Sequence, residues 1–244
     1  MRLKIVSLLI FLLPVAACAA TEEAHHESPQ KVLFVGNSFT YYNNSLHNHY
    51  RALLRSVLPD LASQGRARIM TISGGRLPEH RAGLPAMLSS EEWDIVVLQG
   101  HSRGPIEEKT AAAFRRAARE YALLIRGSGA EPVFFMTWAY TDKPDMTAML
   151  DAAYSEIGRE LGAEVVPAGL AFEKATRERP DIALRIADAR HPSLAGTYLA
   201  ACTFFAVLHK QSPVGIAYNA GLDPEVAAFL QSVAWSATQE YSGR

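Results

Sequence analysis

Lys31-Val-Leu-Phe-Val-Gly-Asn-Ser38 is the stretch from which the fold can be read. The apolar residues Val32, Leu33, Phe34 and Val35 run without polar alternation, as in a strand covered on both faces. Gly36-Asn37 then makes a corner, and the Ser38 hydroxyl leaves the strand end beside the start of the next helix. A serine hydroxyl is a poor nucleophile until a base takes its proton. A histidine can take it if a carboxylate fixes its tautomer and supports the imidazolium that forms. Asp188-Ala-Arg-His191-Pro192 supplies both groups, and their spacing lets one turn of chain bring carboxylate to imidazole. Ser38, Asp188 and His191 are therefore the candidate catalytic residues.

Outward from this strand, the chain alternates strand-like and helix-like stretches. Strands are expected at 31–35, 67–72, 94–98, 132–137 and 164–166. Helical spacing marks 46–57, 105–126, 146–161, 193–209 and 224–239. The helix at 105–126 opens on a proline, carries Glu107 and Glu108 in its first turn and is followed by Gly127. Short buried strands separated by helices imply a parallel sheet with helices on both faces. Sites in such sheets lie at the carboxyl ends of the strands. The corner at Ser38, Gly74-Gly75, Gln99-Gly100-His101-Ser102 and Trp138 all fall on that rim.

Composition narrows the function classes. The 244 residues are 49% hydrophobic and 20% charged, as in an ordinary globular α/β domain. A formal charge of -1 with no basic stripe speaks against a nucleic-acid partner. Arg2 and Lys4 precede an apolar run at 5–17, interrupted by Ser7 and Pro14. Residues 1–20 therefore read as a secretory signal, too short to span a membrane comfortably. Val15-Ala16-Ala17-Cys18 has the form of a bacterial lipobox, which would place a lipid on Cys18 and attach the protein to a membrane. Plain cleavage nearby stays open, because Ala17-Cys18-Ala19 also fits a small-x-small site. Residues 21–30 read as a flexible tether and 31–244 as one domain. The expected location is outside the cytoplasm, in the periplasm or on the membrane. With only Cys18 and Cys202, no internal disulfide framework is expected, and Cys202 reads as a small core residue. No metal-ligand spacing and no phosphate-cradling loop appear, so no cofactor is expected.

These residues resemble the SGNH, or GDSL, hydrolase superfamily from Lys31 to about Leu208, in the right order. The first block is Gly36-Asn37-Ser38-Phe39, with Asn37 where aspartate is usual. A glycine after strand two is matched by Gly74 or Gly75. The terminal D-x-x-H is Asp188 to His191, with Pro192 and then Gly196. The resemblance implies a flavodoxin-like three-layer α/β/α sandwich on a five-stranded parallel sheet. It also implies Ser38 as nucleophile, His191 as base and Asp188 as its orienter.

The third block departs from the usual G-x-N-D, whose asparagine donates to the oxyanion. Gln99-Gly100-His101-Ser102 is instead similar to a Q-G-E-S pattern of carbohydrate-esterase branches. Gln99 is therefore expected to donate to the oxyanion, together with the backbone of Ser38 and of Gly75, which is preferred over Gly74. His101 is the rival donor and otherwise a substrate-binding residue. Trp138, Tyr140 and Tyr41-Tyr42-Asn43-Asn44 are candidates for a sugar-stacking rim, with half-buried anchoring as the alternative. His47, His49 and His80 are weighed between pocket and packing roles. The activity implied is serine-dependent hydrolysis of small acyl esters, acetyl above all, on a small molecule or glycan. An O-acyltransferase and a catalytically silent binding module on the same fold are the alternatives.

Overall fold

The computed structural model describes residues 29–244. The signal segment, the lipid expected on Cys18 and most of the tether lie outside these residues. From the corner onward the elements are β1 (Lys31–Gly36), α1 (Ser38–Tyr41), α2 (Leu46–Val57), α3 (Pro59–Gln64) and β2 (Arg66–Thr71). A 3-10 turn, Leu77–Ala82, leads to α4 (Leu84–Ser90) and β3 (Ile95–Gln99). Then come α5 (Glu108–Gly127), β4 (Glu131–Phe135), α6 (Met146–Leu161), β5 (Glu164–Val166) and α7 (Ala168–Glu178). The helices α8 (Leu194–His209) and α9 (Pro224–Ser242) close the chain.

The five strands form one parallel sheet in the order β2-β1-β3-β4-β5. The three inner strands are the apolar ones. Val32 to Val35, Val96 to Leu98 and Val133 to Phe135 are all buried, as helices on both faces require. On one face, Phe34 meets Tyr50 of α2 and Phe204 of α8 edge-on. Elsewhere Phe114 of α5 meets Tyr154 of α6. The edge strand β2 keeps Arg66 and Arg68 exposed, and both pair with Glu91.

Strand order reverses between β1 and β3, which are neighbours in the sheet although β2 lies between them in sequence. The crevice outside the carboxyl ends at such a switch point is where open α/β sheets hold ligands. Ser38 sits there.

The expected strands are all present, with shifts of one or two residues at their ends. Helix α5 starts at Glu108 rather than residue 105, because Arg103 to Glu107 is used in turns. The short helices α1, α3, α4 and α7 are additional to the sequence reading. Helix α8 is buried all round, from Ala195 to His209, consistent with a run that is apolar on every side.

Candidate active site

The nucleophile corner is held by a net of buried side chains. Asn37 caps α1, its Oδ1 accepting from the Phe39 N–H at 3.1 Å, and its Nδ2 donates to the Gly75 carbonyl at 2.9 Å. Gln99 reaches across from β3. Its Nε2 donates to Asn37 Oδ1 at 2.6 Å, and its Oε1 accepts from the Thr40 hydroxyl at 2.6 Å and the Asn37 N–H at 3.2 Å. Only glycine fits at position 36, since a Cβ there would stand 2.4 Å from Gln99 Oε1 and 2.6 Å from Thr40 Oγ1. The net fixes where Ser38 starts its helix and leaves its hydroxyl at the sheet rim.

The Asp188–His191 loop arrives from the far end of the chain. Ala189 takes a left-handed backbone, φ 64°, which folds the loop tightly back. Asp188 Oδ1 then accepts the N–H groups of Arg190 and His191, both at 2.9 Å, while Oδ2 meets His191 Nδ1. Burial pushes the Asp188 pKa up, but the His191 bond and the two backbone N–H groups outweigh it and hold the carboxyl at about 2. The carboxylate is thus charged at any ordinary pH. His191 Nε2 lies 2.9 Å from Ser38 Oγ. Ser38, His191 and Asp188 therefore form one hydrogen-bonded chain, with hydroxyl, imidazole and carboxylate in the order that proton transfer from serine needs.

The loop is anchored from beneath. Trp138 Nε1 donates to the Arg190 carbonyl at 2.9 Å. Its ring is sandwiched between Phe39, at 4.6 Å, and Phe172, at 4.0 Å, both nearly parallel to it. From above, Tyr42 stacks on the His191 ring, and Phe39 meets that ring edge-on. The hydroxyl opens into a cavity of about 360 Å³ whose walls include Tyr41, Tyr42, Gly74, His101, Tyr140 and Arg190.

The sequence matches no family model and no curated protein. Solved structures do match. A protein from Slackia heliotrinireducens assigned to the SGNH hydrolases is 27% identical, with a TM-score of 0.61 over 72% of this chain and 96% of its own. This is an SGNH-like hydrolase. A DUF4886 family protein from Bacteroides uniformis shares the fold at 19% identity, with a TM-score of 0.67 over 88% of this chain and 96% of its own. An acetylxylan esterase from Geobacillus stearothermophilus shares it at 17% identity, with a TM-score of 0.59 over 73% and 94%.

Several residues of this SGNH-like hydrolase stand elsewhere than the sequence reading put them. Gln99 has no amide proton left for an oxyanion. It is 1% exposed, and its Nε2 serves Asn37 Oδ1 and the Gly100 carbonyl. The Gly75 N–H is donated to the Ile72 carbonyl at 2.9 Å, and Gly74, with φ 64°, is the glycine that faces the cavity. Trp138 is 0% exposed and is a core pillar under the site rather than a sugar platform. His101 does line the cavity, as do Tyr41, Tyr42 and Tyr140. Asn43 does not. It ties the corner to the base loop by donating to the Pro192 carbonyl and Thr197 Oγ1, each at 2.8 Å. His49 supports it from behind, its Nε2 on the Asn43 carbonyl at 2.6 Å. His47 bonds Ser45, and His80 is fully buried away from the cavity. Cys202 is buried in α8, and burial pushes its thiol well above the usual range.

Thr40, Arg103 and Arg190 are among the residues that the sequence reading did not mark. Thr40 completes the Gln99 net, and Arg190 lines the cavity between Asp188 and His191. Arg190 lay in plain view inside the D-x-x-H block. Nothing at Thr40 marked it, because its partner is 59 residues away.

Proposed function

We propose that this hydrolase removes small acyl groups, acetyl in the first place, from carbohydrate esters. The observation that carries this reading is the continuous bond from Ser38 Oγ through His191 to Asp188. Likeness in fold to acetylxylan esterases supports the choice of ester and of sugar. A silent binding module would have no use for such a relay.

In the acylation step Ser38 Oγ attacks the ester carbonyl while His191 Nε2 takes its proton. Asp188 stays charged and supports the imidazolium. Three candidate donors to the developing oxyanion come from residues lining the cavity: the N–H of Ser38, the N–H of Gly74 and the His101 ring. None of the three has a hydrogen-bond acceptor among the described residues. Burial first, with Arg76 beside it, lowers the His101 pKa, so its imidazole is neutral at pH 7 and donates without adding charge. His191 then returns its proton to the leaving sugar hydroxyl. Water takes the alcohol's place, His191 removes its proton, and the acyl group leaves Ser38 as a carboxylic acid.

A fluorophosphonate probe tests the nucleophile directly. The labelled peptide should contain Ser38, and the Ser38→Ala protein should neither label nor release acetate from acetylated xylan. Labelling elsewhere, or full activity in Ser38→Ala, would remove the reading. We also read residues 1–20 as an export signal and Cys18 as a lipid attachment point. Two acyl chains or more hold a protein firmly on a membrane, whereas one gives marginal binding. The native protein should therefore sediment with membranes, and Cys18→Ser should release it or stall its processing.

A further inference from the structure

The cavity above Ser38 is charged in one sense only. Its charged lining residues are Arg103 and Arg190. No carboxylate among the described residues lines it. Asp188 bonds the Nδ1 side of His191, away from Ser38, and Glu107 and Glu79 act on the His101 charge without lining the cavity. The two arginines differ. Arg103 is paired with Glu107 through Nη2 at 2.8 Å, which balances most of its charge. Arg190 is exposed and has no ion-pair partner among the described residues.

Arg190 is also held in place. Its backbone is fixed on both sides, the N–H by Asp188 Oδ1 and the carbonyl by Trp138 Nε1. Its guanidinium lies 4.9 Å over the Tyr140 ring, and that ring is fixed in turn by a 2.6 Å bond between Tyr140 and Ser102 hydroxyls. A planar cation already ordered on an aromatic face loses little freedom when it binds a carboxylate. Its residue is the immediate neighbour of the base, so the bound group would lie next to the scissile ester. Tyr41 and Tyr42 supply apolar faces in the same cavity.

We infer that the hydrolase prefers esters that carry a carboxylate beside the scissile bond, with Arg190 as the residue that selects it. The inference rests on the esterase reading and narrows its substrate. The carboxylate can belong to the alcohol, as in an acetylated uronic acid unit, or to the acyl group, as in the half-ester of a dicarboxylic acid. Both present the same anion to Arg190.

Paired substrates test this on the mature chain. One pair is acetylated methyl glucuronoside against acetylated methyl glucoside. The other is 4-nitrophenyl hemisuccinate against 4-nitrophenyl butyrate. In one pair the acidic member should have the higher kcat/KM by about tenfold, the size expected of one charge-assisted contact. The pair that shows it identifies which side of the ester bears the charge. Raising the salt to 0.5 M should shrink the ratio. Arg190→Gln should bring it to about one, and Arg190→Lys should keep part of it. Equal or better turnover of the neutral member in both pairs, or a ratio unmoved in Arg190→Gln, would overturn the inference while leaving the esterase reading intact. Calorimetric titration of the Ser38→Ala protein with the acetylated glucuronoside and with succinate covers the case in which no ester is turned over. Binding of either, lost in the Ser38→Ala/Arg190→Gln protein, would then uphold the anion site and sink the esterase reading. No binding of either would sink both.

Discussion

The Tyr42 ring lies flat on the His191 imidazole, with centroids 4.4 Å apart and planes within 8°. An imidazolium under a phenol face is stabilised by the ring's negative quadrupole, by about 0.5–2 kcal/mol depending on exposure. His191 carries that charge only once it has taken the serine proton. The stack therefore favours the transition state over the resting state, and removing it should show in kcat. Tyr42→Ala is expected to lower kcat about fivefold with little change in KM for acetate esters, and Tyr42→Phe should restore it. Steady-state rates of the three proteins on 4-nitrophenyl acetate check this. A KM effect alone would assign Tyr42 to substrate contact.

Gln99 and His101 separate two kinds of damage. Gln99→Ala strips a partner from buried Asn37 and Thr40, and unsatisfied buried groups cost about 1–3 kcal/mol each. The melting temperature should fall by roughly 10 °C, the scale for a few kcal/mol in a chain of this size. His101→Ala touches a half-buried ring with no partner to lose. It should leave the melting temperature nearly unchanged and lower kcat about a hundredfold, as loss of one oxyanion donor does. Calorimetry and kinetics on both proteins decide it. A His101→Ala enzyme of full activity would return the donor role to backbone groups alone.

Asp188 sets the acid behaviour of the site by staying out of it. Its folded pKa, about 2, is below the unfolded 3.8, so its contribution to stability is present above pH 3.8 and lost as the pH falls toward 2. The acid limb of kcat/KM should accordingly show no inflection near pH 4, where a free aspartate titrates. Asp188→Asn should lower kcat by about 10² to 10⁴ through loss of tautomer and charge. A rate profile taken down to the onset of unfolding would expose an aspartate step if one existed.

His209 makes a separate demand on stability. It ends α8, only 5% exposed, with Nε2 bonded to the Tyr50 hydroxyl at 2.8 Å and Nδ1 without a partner among the described residues. Burial lowers its pKa from 6.5 to about 4. The unfolded chain therefore binds the extra proton, and stability is lost as the pH falls from about 6.5 to about 4. The loss amounts to about 3 kcal/mol for a shift of this size. Urea unfolding at pH 7 and pH 4.5 should show it in the wild type and show a flatter dependence in His209→Phe. An equal pH slope in both proteins would place the acid sensitivity elsewhere.

Where the chain's own neighbours fix a feature, the sequence was enough. The run Val32 to Val35 is apolar because both faces of β1 are covered. The Asp188–His191 bond closes within one tight loop, so a spacing of three announced it. The donor assignments at Gln99 and Gly75 failed for the opposite reason. A side chain at the end of β3 can point to the cavity or to the neighbouring corner, and only the register of β3 on β1 decides that it meets Asn37. Gly75 likewise gives its N–H to the Ile72 carbonyl in the strand-ending turn that Ser73-Gly74-Gly75 allows, and the sequence alone does not choose between that turn and a free donor. Trp138 looked like a rim aromatic because it follows a strand, but Phe39 and Phe172 arrive from distant segments to bury it. Helix α7 was legible and overlooked, since Ala168, Ala171, Phe172 and Ala175 repeat at helical spacing and are all buried.

Ser38 and His191 stand 153 residues apart in the chain, and the base loop leads directly into α8, the helix buried all round. The reactive pair is thus assembled from the end of the first strand and from a loop that runs into a helix buried from Ala195 to His209. A chain that has shaped its amino-terminal strands but not seated α8 holds a serine with no base beside it. Such a chain would be inert toward esters. Ester turnover is consequently an all-or-none gauge of the finished fold. A lesion anywhere along α8 that loosens its seat would silence Ser38 without touching it, and refolding followed by activity would lag behind refolding followed by helix content.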